Sequence, residues 1–242
     1  MKEVSISGFN VVTPFGSGFD SLPGESISDF IISNCFEIDD NLESNLPLIK
    51  RSPREIKIPC ISMYEAAKNV GINTRGEKKY TDIGIIVGTS FSNLKAIYDF
   101  YLDAEKYGID KINPRLFPNT VLNSISGYAS MLLGAVGANI TISQGGESGV
   151  KLLEYAEDLL NRNILRKAIV CEVNLNVPTI FQHRIDYQLK PESISSLVLQ
   201  IKDKGLPLND FKIEHYDFRG KQSYAVLDIM YRLKLAERKV VG

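Results

Sequence analysis

The chain has 242 residues, with 28 Lys and Arg against 29 Asp and Glu, a formal net charge of −1. That balance excludes a general nucleic-acid binder, which needs surplus cations to neutralise phosphates, and an apolar share of 44% excludes a disordered chain. A chain of this length buries roughly 70–75% of its unfolded surface and needs neither disulfide nor metal to fold.

The elements follow in chain order from hydrophobic periodicity and turn residues. Residues 4–12 alternate apolar and polar and predict a strand, ended by Thr13-Pro14-Phe15-Gly16. Residues 17–60 are rich in Ser, Asp, Asn and Pro and predict mostly loop. A helix is expected over 62–70, with Ser62 as N-cap and Glu65 completing a capping box. Residues 83–87 form a short buried strand closed by Gly88-Thr89-Ser90. Helices follow over 93–107, stopped by Gly108, and over 119–133 after Pro118. Residues 139–143 are a strand, Gly145-Gly146 a sharp turn, and 148–161 a helix whose apolar positions recur on one side. Strands are expected at 168–173, 195–201 and 211–216, and an amphipathic helix at 224–236. Strands alternating with helices imply an α/β protein with a largely parallel sheet, read as a single domain over 1–242, with 17–60 as a variable insertion and a C-terminal helix within 223–240.

Charge is uneven along the chain. Residues 1–49 carry eight acids and one base, and 50–79 carry eight bases and three acids. This is either an acidic insertion followed by a basic docking surface or two solvated segments that satisfy each other.

Three cysteines, Cys35, Cys60 and Cys171, form an odd, scattered set without a C-x-x-C pair, and only His183 and His215 join them. A structural zinc site needs four N or S ligands at short paired spacing, so no metal and no cofactor is expected. Cysteine usage of this kind suits a reducing cytoplasm. The start carries no apolar run of signal-peptide type. The longest apolar stretch, 128–142, is broken by Gly134, Gly137 and Asn139 and predicts no membrane insertion.

The segment richest in chemistry is the strand–turn–helix running from Ile140 through Gln144, Gly145, Gly146, Glu147 and Ser148 to Val150. A phosphate cradle would need G-x-G-x-x-G or Gly-Lys-Ser/Thr, and Glu147 would repel a phosphate. A serine hydrolase would use Ser148 as the nucleophile of a G-x-S-x-G elbow. Here the last glycine is missing, and the partner would be His183 or His215, which nothing in the sequence positions. Ser148 as a helix-start hydroxyl bonding backbone is the plainer alternative.

Several segments, in order, resemble the N-terminal half of β-ketoacyl-acyl-carrier-protein synthases, members of the thiolase-like fold. Residues 7–16, SGFNVVTPFG, resemble the family's first strand and its turn. Residues 84–89, GIIVGT, resemble its second strand, and 113–127, NPRLFPNTVLNSISG, the entry to its dimer-interface helix. Residues 134–142, GAVGANITI, resemble the approach to the active site, and Ser148-Gly149-Val150 the start of the nucleophile helix. The resemblance covers most of residues 1–220 and implies a βαβαβαββ unit with a mixed, largely parallel sheet flanked by helices.

The resemblance also implies what is missing. The family's catalytic cysteine falls on Gly146, which offers no thiol for an acyl-thioester, and its catalytic histidines and lysine belong to a C-terminal half this sequence does not contain. Such a chain resembles the chain-length-factor subunits of type II polyketide and aryl-polyene systems, which lack the cysteine and complete a dimer with an active synthase. The expected partner is a full-length ketosynthase with its cysteine intact, with an acyl carrier protein as a further partner and a homodimer as the fallback. A free-standing scaffold or an acyl-binding protein on the same fold is the other non-catalytic reading. By the same resemblance Leu122, Ile125, Ser126 and Ala129 share the helix face at the interface and acyl tunnel, and Ile140 and Ile142 lie on the strand that pairs across the two-fold.

Overall fold

The computed structural model describes residues 3–33, 36–39, 46–72, 78–91, 93–183, 189–201, 205–211 and 223–241. Its centre is a mixed sheet of five long strands, β1 (Val4–Thr13), β3 (Ile83–Thr89), β4 (Asn139–Ile142), β5 (Lys167–Asn174) and β6 (Ser193–Ile201). Two short strands, β2 (Gly16–Ser17) and β7 (Leu206–Pro207), fringe β1. The order is β2-β1-β6-β5-β3-β4. β3 pairs parallel with β4 and β5, and β6 runs antiparallel to both β5 and β1. Four of the long strands therefore point one way and β6 alone runs back. β3 and β5 are buried along nearly their whole length, as apolar strands covered on both faces must be.

Among the described residues seven α-helices accompany the sheet: α1 (Ile27–Ile31), α2 (Arg54–Lys68), α3 (Leu94–Tyr107), α4 (Ser124–Leu133), α5 (Ser148–Asn161), α6 (Thr179–Gln182) and α7 (Ala225–Val241). The element order β1-α2-β3-α3-α4-β4-α5-β5-β6 contains the expected βαβαβαββ unit. α2 and α4 cover one face, where Ile56, Met63, Ile125 and Leu133 meet Ile85, Ile169 and Val173. α5 and α7 cover the other, where Leu152, Leu160, Leu227 and Ile229 meet Ile86, Val170 and Leu197. The alternation of side chains along each strand separates these two cores.

α7 is far in sequence from the strands it covers and is held by polar contacts at both ends. Its first turn is capped from β5: Glu172 Oε1 accepts from the Ala225 N–H (3.0 Å), and Oε2 from Val226 (3.0 Å) and Leu227 (3.2 Å). Further along, the Tyr231 hydroxyl donates to the Pro23 carbonyl (2.8 Å), and Lys234 Nζ donates to the carbonyls of Leu22 and Gly24. Burial holds the Lys234 ammonium below the usual lysine range.

Several sequence expectations change. The helix expected over 62–70 begins eight residues earlier and encloses Pro59. Proline removes one i→i−4 bond, and burial of Ile56, Ile58, Ile61 and Met63 offsets the loss. Ser62 is therefore no N-cap. It lies mid-helix, bonded to Ser196 Oγ at 2.8 Å, while Glu65 pairs with Lys68 at the surface. Residues 17–60 are less loop-like than expected, since α1, two 3-10 turns and the first half of α2 fall within them. α1 carries a full capping box between Ser26 and Asp29. The helix expected from 119 starts at Ser124, after a 3-10 turn over Phe117–Asn119. Phe211 closes the 3-10 turn Leu208–Asp210 and does not open a strand. The remainder of that expected strand, with His215, lies outside the described residues, as does Cys35.

Two substitutions test how α7 is held. Leu227→Ala, at a fully buried site, should cost about 2–5 kcal/mol through the lost contacts and the cavity left behind. Tyr231→Phe should cost only about 1 kcal/mol, the worth of one hydrogen bond to a carbonyl. Urea unfolding of both variants, with unchanged m-values, measures the difference.

Candidate functional site

The glycine turn sits at the carboxyl end of β4, among the loops where open α/β sheets hold their ligands. After Ile142 the backbone passes Ser143 and Gln144 into a 3-10 turn over Gly145–Glu147, and α5 starts at Ser148. Gly145 has φ +55°, the left-handed region that favours glycine. Its carbonyl accepts from two hydroxyls, Ser90 Oγ (3.0 Å) and Ser148 Oγ (2.8 Å), and Ser148 Oγ also accepts from the Gln144 N–H (2.9 Å). The turn is thus fastened both to its own helix and to the end of β3.

This geometry makes Ser148 a structural hydroxyl. It is 1% exposed, and its bonding partners are backbone atoms of the turn and of Thr89. His183, at the end of α6, is solvent-exposed and makes no hydrogen bond to it. Glu147 is exposed and Gly146 has no side chain to react. The thiols of Cys60 and Cys171 are fully buried. Burial pushes both thiols up, that of Cys171 to about 12, so neither supplies a thiolate.

The six residues that the family resemblance assigns to the tunnel and interface divide between core and surface. Ile125 and Ala129 pack among α2 and β3, and Ile142 packs with the α5–α7 core, with half-buried Ile140 against it. Ser126 is fully buried. Its hydroxyl bonds Thr141 Oγ1 (2.9 Å) and the Asn123 carbonyl (3.1 Å), and its carbonyl accepts from Asn139 Nδ2 (2.9 Å). These bonds lay α4 along β4. Leu122 alone of the six is well exposed, at 40%. β4 is an edge strand, paired with β3 on one side and with no described strand on the other. Elsewhere the chain shows much apolar surface. α3 has no buried residue and carries Ile97, Tyr101 and Leu102 outward, and its Phe100 meets the exposed Phe117 edge-on at 6.2 Å.

Two cavities were not legible as sites in the sequence. One, of about 500 Å³, is lined by Lys50, Arg51, Ser52, Arg115, Asn119 and Tyr128. Among the described residues no carboxylate lines it, and Asn119 Oδ1 is buried without a partner. The basic run from residue 50 was the visible signal, but the arrival of Arg115 was not. The other, of about 600 Å³, has mixed charge and is bounded by Glu37, Glu55, Lys95 and the Arg54–Glu192 pair. Burial raises the Glu55 carboxyl above its ordinary range. Glu192, 1% exposed, accepts from both terminal nitrogens of Arg54 (3.1 and 2.8 Å) and from the N–H groups of Ile38 and Asn176. It ties the 36–39 segment to β6. Among the described residues no group of three or more His, Cys, Asp or Glu is placed to hold a metal ion, and no helix is long and apolar enough to cross a membrane.

No protein-family profile matches the sequence. The solved structures similar in shape are ketosynthases and chain length factors. The ishigamide ketosynthase/chain length factor superimposes with a TM-score of 0.61 at 15% identity, covering 82% of this chain and 62% of that one. A type II polyketide synthase acyl-carrier protein in complex with its ketosynthase bound to the hexaketide (AntDE:AntF) gives 0.64 at 13% identity, covering 83% and 58%. The ketosynthase ApeO in complex with its chain length factor ApeC, from Xenorhabdus doucetiae, gives 0.59 at 16%, covering 83% and 79%. The chain therefore shares the fold of these structures, and it spans about three fifths of the length of the first two chains it matches.

A serine-directed fluorophosphonate should leave Ser148 unlabelled. Ser148→Ala should lower stability by about 1–3 kcal/mol, because the Gln144 N–H loses its acceptor in a buried turn. Mass spectrometry of the treated protein and urea unfolding of the variant check both outcomes; a probe adduct on Ser148 would restore the hydrolase reading.

Proposed function

We propose that this chain is a catalytically silent, chain-length-factor-type subunit that pairs with a cysteine-bearing ketosynthase in polyketide, polyene or fatty-acyl chain building. The observation that carries the reading is the glycine turn. Strand, turn and helix follow one another as the resemblance implies for a nucleophile site; by that resemblance Gly146 stands at the nucleophile position, and no described thiol lies exposed to replace it. On its own the chain is not an enzyme. Its work is to complete a dimer and shape the partner's acyl pocket, in the cytoplasm where carrier-protein thioesters are made.

The exposed edge of β4 supports pairing, because an unpaired edge strand is a template for another strand. The apolar surface of α3, Phe117 and Leu122 would be covered in the same interface. An obligate interface of this kind buries well over about 2,000 Å². The cavity ringed by Lys50, Arg51 and Arg115 supports a carrier protein as the third component, since a cluster of cations attracts an acidic partner and speeds its encounter.

Co-expressed with a cysteine-bearing ketosynthase encoded beside it, the chain should elute in size-exclusion chromatography as a 1:1 heterodimer. Ile140→Asp and Leu122→Asp should weaken that complex at least tenfold while leaving the isolated chain folded. Neither the wild-type chain nor Gly146→Cys, alone, should form a β-ketoacyl product from acyl- and malonyl-carrier protein, because a thiol without its base and oxyanion partners is inert. A self-dimer that excludes the synthase would favour the homodimer, and a β-ketoacyl product from the isolated chain would overturn the silent role.

The pocket-shaping role makes a separate claim. Each methylene of an acyl chain buried is worth about 0.8 kcal/mol, so changing the depth of a shared pocket should change product length. Ser126 is locked in the core, which leaves Leu122 and Val121 as the residues able to meet the partner's chain. Leu122→Ala should lengthen or broaden the products of the reconstituted pair. Unchanged products from a pair that still assembles would reduce the chain to a stabilising subunit.

A further inference from the structure

α5 and α7 begin at one buried point. β5 carries Glu172 between their N-termini, and the residue is 1% exposed. Three first-turn amides of α7 donate to its carboxyl group. Ser223, two residues ahead of α7, donates its hydroxyl to the same carboxylate and accepts the Gly149 N–H at 2.8 Å. Asn174 holds the Ser223 carbonyl. A Cβ at position 149 would lie 1.8 Å from Glu172 Oε1, so only glycine leaves room for the carboxyl group.

Among the described residues no cation faces Glu172. Its cross-strand neighbours are Gly88 on β3 and Ser195 on β6, whose buried hydroxyl has no partner. α5 presents Gly149 and Ser148. From α7 the first-turn charge, Asp228, is turned onto Arg232, and Glu147 ahead of α5 is exposed. Among the described groups, N–H and O–H dipoles and the positive ends of two helices act on it. Those donors favour the carboxylate, complete burial favours the acid, and burial wins.

We propose that Glu172 is a pH-responsive latch, whose ionisation sets how firmly α7 docks and, through Ser223 and Gly149, how firmly the head of α5 and the glycine turn are held. Burial pushes its pKa up to about 7 from an ordinary value of 4.5. The docked state therefore keeps a proton that the released segment gives up. Docking is tightest at acid pH, weakens as pH rises from about 4.5 to about 7, and is level above. For one group the opening equilibrium grows by about tenfold per pH unit within that window. The latch does not depend on the proposed pairing, and its test uses the isolated chain.

Hydrogen–deuterium exchange from pH 5 to 8.5, corrected for the intrinsic rate, reads the latch directly. Protection of amides 225–233 and 145–152 should fall at least tenfold between pH 5 and 7 and then level off, while β3 and β5 hold theirs. Glu172→Gln has nothing to titrate and should be flat across the range. Should that variant not fold, the wild-type carboxyl carbon-13 titration decides: a glutamate titrating between pH 6 and 8, together with the amide shifts of Ala225 and Gly149, supports the latch. Corrected protection that is constant with pH, a pH dependence that persists in Glu172→Gln, loss of protection in β3 and β5 in parallel, or no such glutamate resonance would overturn it.

Discussion

A buried carboxyl group bonded to helix amides holds one whole face of this protein together. Glu172 gathers the first turn of α7 and, through Ser223, the head of α5. With α7 in place, Leu227, Ile229, Met230 and Leu233 close over the strands and α5. The opposite face is also joined across the sequence. α2 lays its apolar side over the sheet, Ser62 bonds Ser196 on β6, and Arg54 pairs with Glu192 just ahead of that strand. Both faces thus combine apolar packing with long-range polar contacts, and the α7 face differs in gathering them at a helix N-terminus.

The glycine turn shows why shape can outlive chemistry. Its form depends on the left-handed Gly145, on two hydroxyls bonding one carbonyl, and on a serine buried at the start of α5. None of these is a nucleophile, and none needs one beside it. No described bond of the turn depends on a side chain at position 146. The turn stands on its backbone and hydroxyl bonds, at the end of an edge strand.

Much of the fold was legible from residue patterns. α5 matches its expected bounds, because its apolar positions recur cleanly and a glycine turn precedes it. β3 and β5 were visible as short apolar runs closed by turn residues. α2 was misplaced because Pro53 and Pro59 argued against a helix, whereas burial on several sides outweighed one missing hydrogen bond. The parts of the site built by distant residues were not legible. Glu172 and Glu192 look like ordinary strand-end acids in the sequence, and only the fold brings three helix amides to one and a guanidinium with two amides to the other. Arg115 likewise joins Lys50 and Arg51 only in three dimensions. The family resemblance fixed the order of strands, but not which of Leu122, Ile125, Ser126 and Ala129 faces outward.

The outer surface of the α5–α7 layer is written in ion pairs: Lys151 with Glu154, Arg162 with Asp158, and Arg232 with Asp228. Exposed pairs of this kind add little stability and are screened by salt, yet they keep a surface hydrated. That layer therefore stays hydrated around its exposed Tyr155, whereas α3 sets Ile97, Tyr101 and Leu102 outward beside its Lys95–Asp99 pair. A fluorophore, tether or purification handle attached near Arg162 would ride on the hydrated layer and leave the apolar positions of α3 clear for whatever chain comes to cover them.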